Sequence, residues 1–226
     1  MQVYKDMNQI TKENRSLWRE LFAREVITDL AQVCTLFVLL HFTGCYLILF
    51  NILRVFKESG SSVDSHIASD IVTIVQFVAI LFASTLVDKL GRRNSLMMSF
   101  GIMSVPLAVM AVYSGIVSDG TQEETNPYGW IPVVCLVISQ AAMVVGVVPV
   151  PYILSSEYFP TFLRPQAISI CYSVFTLSGF VLLQFYTPVL EVMTGAGVFA
   201  MYSCSCVVGV IFTFFFIRET SGEYIG

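Results

Sequence analysis

Apolar residues fill six stretches of this chain, approximately 26–53, 67–87, 96–117, 130–154, 167–188 and 196–217, with short polar segments between them. Each stretch is long enough to cross a bilayer as a helix, which takes about 20 residues. The first is long for one crossing, so a tilt or an extramembrane turn is expected within it. Residues 1–25 ahead of the stretches are polar, and 218–226 form a short tail. In hydrocarbon every backbone polar group must be satisfied within its own segment. The pattern therefore predicts an all-α integral membrane protein whose six helices form a bundle over 26–217.

Composition removes the soluble alternatives. The 226 residues are 56% hydrophobic and only 12% charged, with a mean hydropathy of +0.76. Soluble domains carry about a quarter charged residues, and a soluble core of this length has nowhere to bury so much apolar surface. A soluble enzyme, a secreted disulfide scaffold and a nucleic-acid-binding domain are excluded. The net charge of -4 and the pI near 5.1 leave no basic tract for a phosphate backbone. The six cysteines, Cys34, Cys45, Cys135, Cys171, Cys204 and Cys206, all lie inside apolar stretches, where cysteine usually serves as a small hydrophobe. Cys204 and Cys206 are two apart, so a helix points them to different faces and they make no metal or redox pair. No zinc-ligand spacing, phosphate-binding glycine loop or paired catalytic carboxylates stand out, and no cofactor is expected.

Basic residues decide orientation. With the N-terminus inside, the inner segments hold Lys5, Lys12, Arg15, Arg19 and Arg24, then Lys89, Arg92 and Arg93, then Arg164 and Arg218. The outer loops hold only Arg54 and Lys57, and the loop 118–129 carries Asp119, Glu123 and Glu124 with no base. Ten against two across short loops places both termini in the cytosol. No apolar h-region of a signal peptide follows the first residue. Within the leading segment Leu17, Trp18, Leu21 and Phe22 share one helical face opposite Arg15, Arg19 and Glu20. That arrangement reads as an amphipathic helix on the membrane surface, or else as a solvated linker. The sequon Asn14-Arg15-Ser16 would then face the cytosol and stay unmodified.

Three charged clusters fall on the three inner ends of the bundle. Val87-Asp88-Lys89-Leu90-Gly91-Arg92-Arg93 forms a tight loop between the second and third stretches, with Gly91 permitting a sharp turn. Pro149-Val150-Pro151-Tyr152-Ile153-Leu154-Ser155-Ser156-Glu157-Tyr158-Phe159-Pro160, followed by Arg164, closes the fourth. Pro149 and Pro151 each remove a backbone donor, so that helix must bend or partly unwind, and Gly146 adds a flexible step just before them. Arg218-Glu219-Thr220-Ser221-Gly222 closes the sixth.

In order and spacing these motifs resemble the C-terminal half of the sugar porter branch of the major facilitator superfamily. The resemblance rests on D-x-x-G-R-R between the second and third spans, P-x-P-[WY]-x4-E-x-F-P-x3-R after the fourth, and a P-E-T-x-G-like close after the sixth. It covers nearly the whole chain, and the compact loops are most similar to insect facilitated trehalose and glucose carriers. It implies the six-helix C-terminal half of a twelve-helix transporter fold that moves a small polar solute, sugar-like by descent, by alternating access. The plasma membrane is the location the family suggests. It also implies that Asp88, Arg92, Arg93, Glu157, Arg164 and Glu219 form an inner salt-bridge lattice, although the same residues would equally anchor helix ends. Six spans supply one wall of such a pathway. The chain would then be part of a longer polypeptide or a half that pairs with another, and a transport-incompetent half associating with a full-length relative is the alternative.

Sugar recognition calls for convergent hydrogen-bonding groups near mid-membrane and aromatic faces against the C–H groups of the ring. The resemblance places these in a Q-Q-x-S-G-x-N pattern, which here reads Leu40-His41-Phe42-Thr43-Gly44-Cys45-Tyr46. The small step at Thr43 and Gly44 is kept and the amides are lost. Gln76 stands where the family has a polar residue, Tyr152 at its tryptophan, Val144 at an acid or polar group, Phe175 at an asparagine and Thr176 at a second tryptophan. The candidate solute-binding residues are His41, Tyr46, Gln76, Tyr152 and Thr176. His41 is the histidine that lies in a span, and an imidazole titrating near about 6.5 would allow proton linkage; a neutral ring donating one hydrogen bond fits as well. Asp70, near the outer end of the second stretch, is expected to reach interfacial water. A six-span intramembrane serine protease would need a G-x-S-G nucleophile and a late histidine. The Ser-Gly pairs at Ser114-Gly115 and Ser178-Gly179 lack the leading glycine.

Overall fold

The computed structural model describes residues 23–58, 63–118 and 128–219. The expected surface helix, the sequon, the acidic residues of the 118–129 loop and the tail beyond Glu219 lie outside the described residues. Helices α1 (Arg24–Phe42), α2 (Cys45–Phe50) and α3 (Ile52–Glu58) open the fold, followed by α4 (Ser65–Leu90) and α5 (Arg92–Ser118). After them come α6 (Ile131–Ala142), a π turn over Met143–Val147, and α7 (Pro149–Glu157). The last helical segment, Arg164–Phe216, is broken at Thr194 (φ 54, ψ 162). It contributes two membrane-length helices, α8 (Arg164–Leu190) and α9 (Val192–Phe216). Among the described residues six stretches are long and apolar enough to cross a membrane.

The long first apolar stretch resolves into three helices, and residue chemistry sets the breaks. The Thr43 hydroxyl donates back to the Leu40 carbonyl at 2.7 Å, and Gly44 turns left-handed at φ 73. A side chain at Gly44 would also run into the Tyr202 ring, which packs directly on its backbone. Asn51 makes the second break, its amide donating to the Leu47 carbonyl at 3.0 Å. The turn expected in this stretch therefore lies inside it, at residues 43–44, as well as at its end.

The proline-rich fourth stretch stays helical and widens. Val148 N donates to Met143 O at 3.0 Å, five residues back, so one extra residue fits into the turn before Pro149 and absorbs the missing donor. Pro149 then opens α7 in the first turn, where proline is tolerated. Gly146 lies in this π turn, but it acts by close packing: a Cβ there would meet the Ser95 carbonyl of α5 at 2.6 Å, and the Ser99 side chain closer still. Small residues at such a crossing let two backbones approach, which is how helices associate in lipid.

The α1–α2 and α6–α7 stretches are the most buried, and α4 and α8 the least. Phe37 and Leu40 of α1, Phe100 and Met103 of α5, and Leu136 and Leu154 of α6–α7 fill the centre. By contrast Phe77, Leu81 and Phe82 of α4 and Leu177, Phe180 and Phe185 of α8 face outward. Two helices thus flank a packed centre with large apolar faces uncovered within this chain.

The two glycines of the α5–α6 region make a matched pair. Gly146→Ala should destabilise the protein by about 1–3 kcal/mol through overpacking against α5. Gly101→Ala, with nothing within 4 Å of its added Cβ, should change stability by under about 0.5 kcal/mol. Thermal unfolding of the two variants in detergent micelles checks the contrast; equal effects would mean that α5 and the π turn do not touch as described.

Candidate functional site

The charged residues gather at one end of the bundle. Leu90 ends α4 and Arg92 begins α5, leaving Gly91 (φ 86) as the whole connection. That left-handed conformation suits glycine, and a second reason reinforces it: a Cβ at Gly91 would meet the Glu219 carboxylate at 2.5 Å. Glu219 arrives from beyond the end of α9 and accepts from Arg92 N at 2.9 Å and Arg93 N at 3.2 Å. The carboxylate therefore caps the positive end of α5, satisfying two donors that have no partner inside the helix.

Arg92 is the hub. Its guanidinium donates to Glu157 Oε1 from NH2 at 3.0 Å and from Nε at 3.3 Å, and it pairs with Asp88 at 3.4 Å. The Arg92 side chain is 17% exposed and Glu157 27%, whereas Asp88 is 64% exposed. The Glu157 arm is therefore the stronger of the two, and the Asp88 arm is a surface pair worth at most about 1 kcal/mol.

Two expected lattice members stand elsewhere. Arg93 turns to α9, donating to the Phe214 carbonyl and placing its guanidinium 5.3 Å from the Phe214 ring centroid. The guanidinium stabilises the negative end of that helix and pairs with no carboxylate among the described residues. Arg164 opens α8 with its Nε buried and without a hydrogen-bond partner, outside the cluster around Arg92. A further contact joins the same end of the bundle: Arg218 NH2 pairs with Asp29 of α1 at 2.9 Å. The Tyr158 hydroxyl accepts from Arg218 N at 3.3 Å and lies 3.4 Å from Arg218 O. Burial pushes the Tyr158 phenol up from its ordinary range, with the Arg218 contacts acting in the opposite sense. The signal for the Asp29–Arg218 pair was an acid just inside the first apolar stretch, matched by a base just after the last.

Above this cluster runs a cavity of about 600 Å³ between α4 and the α6–α7 stretch. Asp88 lines one end, and Ser84, Ile80, Phe77, Gln76 and Thr73 continue along α4, with Pro149 and Ile153 opposite. From Asp88 to Thr73 is about 22 Å at the helical rise of 1.5 Å per residue. The cavity thus reaches from the charged end toward the middle of the helices. Gln76 Nε2 donates to Gln140 Oε1 at 2.9 Å, and Gln140 Nε2 reaches the Cys45 carbonyl at 3.4 Å. Gln140, fully buried, is the residue that sequence reasoning missed; a lone amide in an otherwise apolar stretch was its signal.

His41, Tyr46 and Tyr152 come together in a second group, on the faces of α1, α2, α7 and α8. Phe37 meets Tyr152 and Phe175 edge-on, at centroid distances of 5.1 and 5.4 Å. Tyr172 adds to it, 5.5 Å from Tyr152. His41 stacks on Phe175 at 4.6 Å and donates from Nε2 to the Phe175 carbonyl at 2.9 Å. Its described neighbours Tyr46, Phe175 and Gly179 include no carboxylate. Thr176 stands apart: it is exposed, and its hydroxyl folds back to the Tyr172 carbonyl at 2.9 Å. Pro149 lines the cavity while Pro151 is buried in the helix packing.

Known proteins resemble the chain along nearly its whole length. The sugar (and other) transporter family model matches residues 1–225. The facilitated trehalose transporter Tret1 of Bombyx mori is 27% identical over 206 residues, covering 91% of this chain and 40% of the relative. Tret1 of Drosophila mojavensis is 28% identical over 204 residues, or 90% of this chain and 23% of the relative. A crystal structure of a double-tryptophan XylE mutant matches with a TM-score of 0.72 at 22% identity, over 96% of this chain and 46% of the other. The chain therefore spans less than half the length of the relatives it matches.

The geometry makes different demands on the two carboxylates. Glu219→Ala strips the cap from two backbone donors and should lower stability by about 1–2 kcal/mol. Asp88→Ala removes only an exposed arm of Arg92 and should cost under about 1 kcal/mol. Unfolding midpoints in micelles measure both, and a larger loss at Asp88 would reverse the assignment of roles.

Proposed function

The chain belongs to the sugar (and other) transporter family, and from that membership we propose that it forms the C-terminal half of a facilitative carrier for a sugar-like solute, working by alternating access. Membership and six membrane-length helices make it an integral, multi-pass membrane protein. The observation that carries the transport reading is the cavity that starts at Asp88, beside the Arg92 hub, and runs along α4 to the Gln76 amide. One end begins at Asp88, which pairs with Arg92, and further along Gln76 puts a polar group in a largely apolar wall. A pathway that opens and closes from one side needs both.

In this reading the solute approaches Gln76, whose amide donates and accepts as a sugar hydroxyl requires. The partly exposed face of Tyr152, backed by the buried Phe37 ring, meets the apolar faces of the sugar ring. His41 and Tyr46 shape the same wall, and Thr176 stands outside it. The Tret1 proteins of Bombyx mori and Drosophila mojavensis are facilitated trehalose transporters, which makes a trehalose- or hexose-like solute the first choice. Arg92, Glu157 and Asp88 latch the inner side, while Glu219 caps α5 and Arg93 ties α5 to α9. Arg164 is left for a carboxylate supplied by the other half. Individually weak, partly exposed pairs suit a latch that must break in every cycle. Both termini then face the cytosol, the uncovered faces of α4 and α8 meet the other six-helix half and lipid, and the carrier resides in the plasma membrane.

Uptake of radiolabelled trehalose and glucose by the complete carrier in proteoliposomes tests the reading. Saturable uptake is expected, and Gln76→Ala and Tyr152→Ala should each reduce it by about tenfold, equivalent to about 1.4 kcal/mol. Saturable uptake that both variants leave untouched would place the pathway elsewhere, and its absence for both sugars would remove the sugar assignment.

The latch has its own test. Arg92→Glu places a third acid beside Asp88 and Glu157, and flux should fall at least tenfold while the amount of protein at the surface stays within about twofold. Unchanged flux would leave these residues as helix anchors only. A reduction cured by the charge swap Arg92→Glu with Glu157→Arg would establish the pairing itself.

A further inference from the structure

All six cysteines are free thiols, and two of them are neighbours across helices. The sulfur of Cys34 on α1 lies 3.9 Å from that of Cys171 on α8, although the residues are 137 apart in sequence. Cys171 is fully buried and Cys34 half-buried. Among the described residues no other two thiols make a hydrogen bond: Cys45 is engaged by the Thr43 hydroxyl at 2.8 Å, and Cys204 is exposed on α9. Cys34 precedes Phe37 by one turn and Cys171 precedes Phe175 by one turn, and those two rings touch. The thiol pair therefore sits beside the aromatic group that joins α1 to α8.

We propose that Cys34 and Cys171 form an oxidation site, at which a peroxide closes a disulfide that staples α1 to α8. The Cys34 sulfur, the more accessible of the two, attacks one peroxide oxygen as the thiolate and the O–O bond breaks. Cys34 becomes a sulfenic acid, and the departing hydroxide takes up the proton that the thiol gave off, making one water. The Cys171 sulfur then attacks the Cys34 sulfur, the S–O bond breaks, and the hydroxyl leaves with the Cys171 proton as a second water. Two thiols give up two electrons and two protons, and one peroxide is reduced to two waters. A disulfide holds its sulfurs about 2.05 Å apart, so the pair has about 1.9 Å to close. Sequence reading treated these cysteines as apolar filler; only the packing of α1 on α8 brings them together. Closing the bond one turn from Phe37 and one turn from Phe175 fixes the spacing of the helices that carry these rings.

The test uses the full chain purified in detergent micelles, treated with hydrogen peroxide, freed of peroxide, unfolded in dodecyl sulfate, alkylated with N-ethylmaleimide, digested and analysed by mass spectrometry. The expected result is loss of two alkylatable thiols per chain and one dominant linked peptide pair containing Cys34 and Cys171, released by dithiothreitol. The same chain unfolded in dodecyl sulfate before oxidation should give mixed pairings instead. Cys34→Ser should abolish the linked pair and leave Cys171 open to alkylation, whereas Cys204→Ser should behave as the parent chain. The unmodified protein decides the matter without relying on a variant's fold. Both thiols still alkylated after peroxide, Cys34 joined mainly to a different cysteine, or Cys34 carried to the sulfinic acid beside an unreacted Cys171 would each overturn the proposal.

Discussion

Backbone hydrogen bonds that have no water to fall back on govern this structure. Each membrane-length helix must satisfy its own donors and acceptors through the hydrocarbon, so every departure from regular helix needs a local substitute. At Thr43 and Gly44 the substitutes are the Thr43 hydroxyl on Leu40 O and the bond from Gly44 N to His41 O. Before Pro149 the substitute is the five-residue bond from Val148 N to Met143 O. These two irregularities lie in the two most buried stretches, where neighbouring helices rather than lipid surround the altered backbone. The same two stretches supply Leu49, Val148 and Pro149 to the cavity wall. Irregular backbone and cavity coincide because a membrane tolerates the one only where protein or water-filled space supports it.

The helix ends obey the same accounting with charge. At the start of α5 two unpaired N–H groups meet the Glu219 carboxylate, and near the close of α9 a carbonyl meets Arg93. Both are helix-terminus interactions, and their sign follows from the helix dipole. Arg92 is different in kind, because its guanidinium pairs with the side-chain carboxylates of Asp88 and Glu157 and completes no helix end. The cluster therefore holds two classes of contact. Some complete a helix and persist whenever the helix does; others join helix ends that a rocking motion would separate.

Sequence alone made the spans legible because hydropathy is a local property and a bilayer reads it directly. Clustering of Asp88, Arg92, Glu157 and Glu219 at one end was legible for a similar reason, since charged residues in such a chain have only its ends to occupy, whereas Arg164 stands outside that cluster. Which of them pair was not legible. Arg92 and Arg93 are adjacent in sequence, yet their side chains point 100° apart around the helix, one to α7 and one to α9. Asp29 and Arg218 are separated by 189 positions, and no local pattern couples them. Gln140 was passed over because a single buried amide gains meaning only from Gln76 and the Cys45 carbonyl beside it. The long first stretch showed its excess length plainly, whereas the position of its break depended on the Tyr202 ring lying over Gly44.

The distribution of rigidity follows from these contacts. Phe37, Tyr152 and Phe175 interlock across α1, α7 and α8, and His41 ties α1 to the α8 backbone through the Phe175 carbonyl. Packing of that kind has discrete arrangements and does not deform gradually. The Asp88 arm of the ionic cluster, by contrast, is mostly in solvent and is made or broken at little cost. In the proposed carrier the aromatic wall would therefore travel as a body, and the adjustable joints would be the ionic contacts at the charged end. Retaining the charged end while exchanging family amides for aromatic rings is then a coherent change. In the proposed carrier it would alter which solute the wall accepts and leave untouched the contacts on which the motion would turn.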